Sequence, residues 1–299
     1  MHLTPLDADY PSRLRDLPNP PASVTCRGGP LAAKHALAVV GSRHADPDAE
    51  RFAHQLAFAL ATAGVVVVSG GAIGIDAAAH RGALKASGGR TWAVAGTGCD
   101  HCFPPRHAEL FDAIAGGPGT MVWPFPRESG VRPGAFLARN RVLVALSDAV
   151  VVVQAGIPSG ALRAAACARR MGKQLWVVPA PPWAPDFRGS CRLLDLGARP
   201  LTSVEALLDA FHLQRNVSEL AHEKNRGGRG ANPAPETEPH GSAEEIKVFR
   251  AASTVPLHVD EIALRAGLGV STVAASLLTL ALENVVVEGP AGFFRRRKG

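Results

Sequence analysis

The sequence predicts an α/β protein built on a doubly wound, mostly parallel sheet, with a small second domain after it, and three observations carry that reading. From Ala36 to about Leu213, short β-branched apolar runs alternate with helical patterns. Two of those runs end in small-residue turns before a helix, Gly41-Ser42-Arg43 and Ser69-Gly70-Gly71. Beyond a stretch of glycine, proline and charge, three short helical patterns precede two apolar runs joined by Gly289-Pro290-Ala291-Gly292.

Taken in order, residues 1–35 are rich in proline and poor in periodic runs, so they read as an extended lead-in with room for one short strand. Residues 36–213 form the sheet domain. Its strands are expected at Leu37 to Val40, Val65 to Val68, Thr91 to Ala95, Met121 to Trp123, Ala149 to Val153 and Leu175 to Val178. Between them fall helices over Asp48 to Ala63, Ile75 to Ala86, Pro105 to Ala115, Phe136 to Leu146 and Gly160 to Met171. In such a sheet a ligand lies outside the carboxyl ends of the strands, which is the edge that carries both glycine turns.

Residues 214–243 contain Gly227-Gly228-Arg229-Gly230 and three prolines without apolar periodicity, and read as a flexible linker. In residues 244–299, Glu244 to Ala252 reads as a helix, Asp260 as the cap of Glu261 to Ala266, and Ser271 as the cap of a third helix to about Glu283. With the hairpin of Val285 to Glu288 and Phe293 to Arg295, this is the pattern of a winged helix. Its third helix has no Lys or Arg to reach bases or phosphates, so a protein contact competes with duplex DNA as its role. Arg295, Arg296, Arg297 and Lys298 offer the phosphate alternative.

The chain has 299 residues and a formal net charge of +6, a surplus too modest to identify a nucleic-acid partner by itself. No apolar run approaches the ~20 residues of a membrane span. The start has neither a basic n-region nor an apolar h-region, so a cytoplasmic protein without a membrane partner is expected. Cys26, Cys99, Cys102, Cys167 and Cys191 make an odd, irregularly spaced set, which argues for reduced thiols. Cys99 and Cys102, with His107 nearby, have half of a zinc pattern and no second half, so no metal is expected.

The turns favour phosphate. Backbone N–H groups at helix N-termini attract anions, and Arg43 adds a permanent cation beside them. A dinucleotide site would need G-x-G-x-x-G after the first strand and an acid ending the second; both are missing, and no P-loop occurs. Ser159 reads as a helix cap rather than a nucleophile, and Asp76 with His80 as residues that orient their own helix rather than as base and acid. No catalytic group or cofactor is therefore expected. Arg127, Arg132, Arg139 and Arg141 interleave with Trp123, Phe125 and Phe136, a combination suited to unpaired bases. The competing reading is that Trp123 and Phe136 are core and the arginines a solvated face. Arg139 and Arg141 stand two apart, so on a helix at most one faces the groove.

Gly41-Ser42-Arg43, Ser69 to His80, Gly96-Thr97-Gly98, Phe136 to Arg141, Ser159 to Leu162 and Gly197-Ala198, in that order, together with Tyr10 to Leu14 and the terminal winged helix, resemble the motifs of the DNA-processing protein A family, DprA or Smf. The resemblance covers nearly the whole chain. It implies an extended Rossmann-like domain that binds single-stranded DNA as a homodimer, protects incoming strands during natural transformation and helps load the recombinase RecA. It implies that Gly41, Ser42 and Arg43 hold a phosphate, that Ser69, Gly70 and Gly71 complete the pocket, and that Phe136, Arg139, Asn140 and Arg141 add strand contacts, with Arg132 as a looser match. Val122 to Pro126, Gln154 and Ala180 depart from the family's usual residues. Two other classes stay in view: a Rossmann-like hydrolase of nucleoside 5'-monophosphates, of whose signature Gly116-Gly117-Pro118-Gly119-Thr120 is a shuffled echo without the glutamate, and a non-catalytic protein adaptor on the same fold.

Overall fold

A computed structural model describes residues 1–132, 134–213, 242–253, 256–283, 285–288 and 293–296, and the chain divides into two compact units, Met1–Leu220 and Ala221–Gly299. In the first unit the order is β1 (His2–Leu3), α1 (Ser12–Arg15), β2 (Val24–Gly28), β3 (Ala36–Val40), α2 (Pro47–Thr62), β4 (Val66–Ser69), α3 (Ile75–Lys85), β5 (Thr91–Val94), α4 (Ala108–Gly116) and β6 (Thr120–Trp123). There follow α5 (Ala135–Ala145), β7 (Ala149–Val152), α6 (Gly160–Arg170), β8 (Gln174–Val177), α7 (Arg188–Asp195), β9 (Arg199–Pro200) and α8 (Val204–Ala210).

Among the described residues the sheet has nine strands in the order β1-β2-β6-β5-β4-β3-β7-β8-β9. From β6 to β9 every pairing is parallel, with Leu37 opposite Val67 on one side and Ala149 on the other. Strands covered on both faces must be apolar throughout, which is why β3 and β7 read as unbroken runs of Ala, Leu and Val. Their two-residue period divides the core. Ala38, Val40, Val150 and Val152 pack with α1, α5, α6 and α7, whereas Leu37, Val39 and Val151 pack with α2, α3 and α8. Leu56 and Leu60 of α2 are fully buried there, each worth about 1.5–3 kcal/mol. A smaller cluster sets Phe111 and Ile114 of α4 against Met121 and Trp123.

The lead-in differs from expectation. Residues 1–28 supply two strands and a short helix, with β2 antiparallel to β6 through Thr25 opposite Trp123. Tyr10, Leu14 and Val24 are buried in the main core. The proline-broken stretch hid this because its strands are short and β2 pairs with a segment about a hundred residues away. The helix expected from Pro105 begins as a 3₁₀ turn, Pro105–His107, before α4.

In the second unit, α9 (Ala243–Ala251), β10 (Leu257–His258), α10 (Val259–Ala266), α11 (Val270–Leu282), β11 (Val286–Glu288) and β12 (Phe293–Arg296) surround a core of Val248, Phe249, Ile262, Val273, Leu277 and Leu280. The antiparallel order β10-β12-β11 with three helices is a winged helix. Two caps are corrected: α10 starts before Asp260, whose N–H donates to His258 Nδ1 at 3.4 Å, and α11 follows Gly269 rather than Ser271. The expected linker residues 214–241, the turn Gly289 to Gly292, and Arg297 with Lys298 lie outside the described residues. No single helix among the described residues is long and apolar enough to cross a membrane.

Candidate functional site

Strand order reverses at β3: the chain proceeds through β4, β5 and β6 on one side, then returns to place β7 on the other. The connections that leave the carboxyl ends of β3 and β7 therefore run in opposite directions and leave a crevice, the usual ligand position of an open α/β sheet. A cleft of about 840 Å3 opens there. Gly41, Ser42 and Arg43 enter it from the turn after β3, Phe136, Arg139 and Asn140 from α5, and Ser159, Gly160 and Arg163 from the start of α6.

The N-termini of α3 and α6 converge on this opening with their positive dipole ends. Ser159 Oγ accepts the Leu162 N–H at 3.2 Å, so its expected role as a cap holds. Gly74, before α3, has φ +78° and lies where a Cβ would strike the Ser42 carbonyl, so only glycine allows the two turns to meet. Ser42 Oγ accepts the His44 N–H at 3.1 Å and tightens the first turn. Arg43 is exposed, its guanidinium 5.3 Å over the Phe136 ring. Phe136 is steadied in turn by Phe103, with ring centroids 5.6 Å apart.

Behind this surface sits a buried charge network. Arg139 is 5 % exposed, and its Nη1 donates to the Gly70 carbonyl and, at 2.5 Å, to that of Val94. Asp76 accepts the N–H groups of Gly70 at 3.2 Å and Ala72 at 3.3 Å. The Gly70 peptide is thus gripped at both ends. A Cβ at Gly70 would collide with the Arg139 guanidinium. Burial pushes the Asp76 carboxyl up, against the downward pull of Arg139, and pushes Arg139 down, against the upward pull of Asp76. The expectation that Asp76 merely orients its own helix is therefore extended: it holds the second glycine turn.

His80 is also buried. Its Nδ1 lies 2.7 Å from Thr91 Oγ1, whose proton goes to the Val67 carbonyl, so Nδ1 carries the ring proton. Its Nε2 has no partner among the described residues, and burial, with His107 and Arg139 adding repulsion, pulls the imidazole down to about 3. His107 Nδ1 faces the Gly71 carbonyl at 3.0 Å.

Of the eleven expected site residues, Gly41, Ser42, Arg43, Phe136, Arg139 and Asn140 line the cleft. Gly70 lines an adjoining recess of about 420 Å3 with Arg43, Phe103 and Phe136. Four are elsewhere. Ser69 is fully buried and its hydroxyl donates to Val39 O at 2.7 Å, tying β4 to β3. Gly71 is turned toward Phe111 and His107. Arg132 donates to Ser129 Oγ at 3.1 Å, outside the cleft wall, and Arg141 points away to the Asn19 carbonyl. Arg139 and Arg141 do face opposite ways. Trp123 is core, as the alternative reading had it, whereas Phe136 is not. Asn140 donates to the Gly160 carbonyl at 3.3 Å and positions α6; Arg127 pairs with Asp100 at 2.8 Å.

Arg163 and Arg188 of the cleft were not singled out from the sequence. Their signal was present: each lies in the first turn of a helix that follows a strand end at the ligand edge. The Gly116 to Thr120 echo leads into the start of β6, on the opposite edge of the sheet, where Thr120 Oγ1 donates to Gly29 O at 2.9 Å.

A family model for DNA recombination-mediator protein A matches residues 1–212, and one for the DprA winged helix domain matches residues 232–292. Protein Smf of Synechocystis sp. is 32% identical over 326 residues, which span 99% of this chain and 80% of that protein. The structure of DNA processing protein A from Helicobacter pylori, described for its single-stranded DNA binding mode, is similar at TM-score 0.64 and 30% identity, over 70% of this chain and 95% of that one. DNA processing protein A from Streptococcus pneumoniae gives TM-score 0.65 at 30% identity, over 70% of this chain and 73% of that one. The doubly wound sheet, the winged helix and both matches in order place the chain in the DNA recombination-mediator protein A family, DprA or Smf.

Proposed function

We propose that the cleft at the sheet's reversal point binds the backbone of single-stranded DNA without regard to sequence, with Gly41, Ser42 and Arg43 as the phosphate seat. The observation that carries this is Arg43 stacked on Phe136 at the mouth of a cleft that also receives two helix N-termini. A guanidinium and a helix end suit a phosphate, and an aromatic face beside them suits an unpaired base of any identity. Similarity to the Helicobacter pylori protein supports the same polymer. In line with the family resemblance, the chain acts in the cytoplasm as a homodimer, without catalysis, and delivers the protected strand to RecA during natural transformation. The sheet unit is the DNA-binding part. In the winged helix, Ser271, Ala274, Ala275 and Leu278 form the exposed face of α11 without a cation, which favours a protein contact there.

Fluorescence anisotropy of labelled oligothymidine on the full chain tests the reading. Affinity is expected to fall with salt at a slope of about 0.7 per phosphate neutralised. Arg43→Ala is expected to lose about 1.5–3 kcal/mol, one charge-assisted contact, or roughly ten- to a hundredfold. Arg169→Ala, at the far end of α6, should bind as wild type. Equal binding by the two variants would falsify the assigned seat.

A further inference from the structure

A second groove, of about 680 Å3, runs along the seam of α5 and α6. It shares Leu137 and Arg163 with the cleft, so those two side chains form a common ridge rather than a barrier between separate sites. Beyond the ridge it is lined by Phe125, Arg141 and Arg170. Arg163 and Arg170 are seven residues apart on α6, hence on one face and about 10 Å apart along the axis. That length corresponds to about three phosphates at ~3.4 Å per nucleotide of a stacked strand.

We infer that the single strand leaves the cleft over Leu137 and Arg163 and continues along this groove, with Arg141 and Arg170 on its phosphates and Phe125 against a base. The inference rests on the single-strand reading of the cleft. Three guanidinium groups and no carboxylate line the groove among the described residues, and the rest of its wall is apolar. A polyanion with flat apolar bases matches both features at once. Arg141 and Arg170 meet neutral acceptors there, the Asn19 carbonyl and Cys167 Sγ, so an uncharged protein segment in the same place would bury three cations without a counter-charge, a large penalty. Arg141, held by the Asn19 carbonyl, is already fixed at the groove wall.

The test uses the full chain with two oligothymidines, a short one that fills only the cleft and one twice as long, titrated across a range of salt. For the long strand, Arg170→Ala is expected to lower the salt slope by about 0.7, one phosphate contact, and Arg170→Glu to weaken binding further; the short strand should be indifferent to both. Ultraviolet crosslinking of the long strand should tag Phe125 in addition to Phe136. Unchanged long-strand slopes, or crosslinks confined to Phe136, overturn the extended path and leave the groove to a protein partner. Failure of the short strand to respond to Arg43→Ala would instead overturn the reading on which the path rests.

Discussion

Arginine takes two roles at the cleft that composition does not separate. Arg43 is exposed, rests on an aromatic face and is available to a ligand, whereas Arg139 is engaged with two carbonyls and shapes the turn beneath. Gly70 records that difference, because the guanidinium occupies the space a methyl group would need. Gly70→Ala is expected to destabilise the fold by about 1–3 kcal/mol, the range for overpacking. Denaturant unfolding measures it, and an unchanged midpoint contradicts the clamp. His80 gives a pH signature. Its folded value, about 3, lies below its ordinary 6.5, so between those limits the unfolded chain binds the extra proton. Its contribution to stability is full above about pH 6.5 and is lost as pH falls toward 3. His80→Gln, which keeps a donor for Thr91, should flatten that acid limb in unfolding free energy measured from pH 7 to 4, whereas parallel wild-type and variant curves would show that His80 does not titrate this way.

At the level of elements, helix ends rather than helix bodies make the site. Ser159 was legible as a cap because a small hydroxyl residue precedes a helical pattern, and the structure seats its Oγ on Leu162 N–H. Ser159→Ala is expected to remove about 1 kcal/mol of stability. Thermal unfolding checks this, with Ser159→Asp, another good cap, restoring the loss; an unaffected alanine variant counts against the cap. The opposing directions of Arg139 and Arg141 also followed from helical spacing, while their destinations did not. At Asp260 and Ser271 the caps differ from expectation: both helices begin two residues early, on His258 and Gly269, choices that local preference ranks closely.

For the whole molecule, the lead-in is part of the sheet rather than an appendage to it. Removing residues 1–28 would unpair the β6 edge and expose core around Tyr10, Leu14 and Val24, each worth about 1.5–3 kcal/mol. The truncated chain is expected to aggregate or melt well below the full one, as size-exclusion chromatography and calorimetry would show; a stable, monodisperse product would restore the lead-in as dispensable. The sequence by itself determined the alternation of strands and helices, the two glycine turns with Arg43 in the first of them, and the winged helix, because period, turn chemistry and caps are written within a few neighbouring residues. Only the tertiary structure decided that Ser69 faces Val39, that Arg139 grips Gly70 69 residues away, and that Arg163 joins the cleft. Those outcomes depend on which strand ends lie side by side, and strand order is fixed by burying both faces of the sheet at once, a condition no local segment contains.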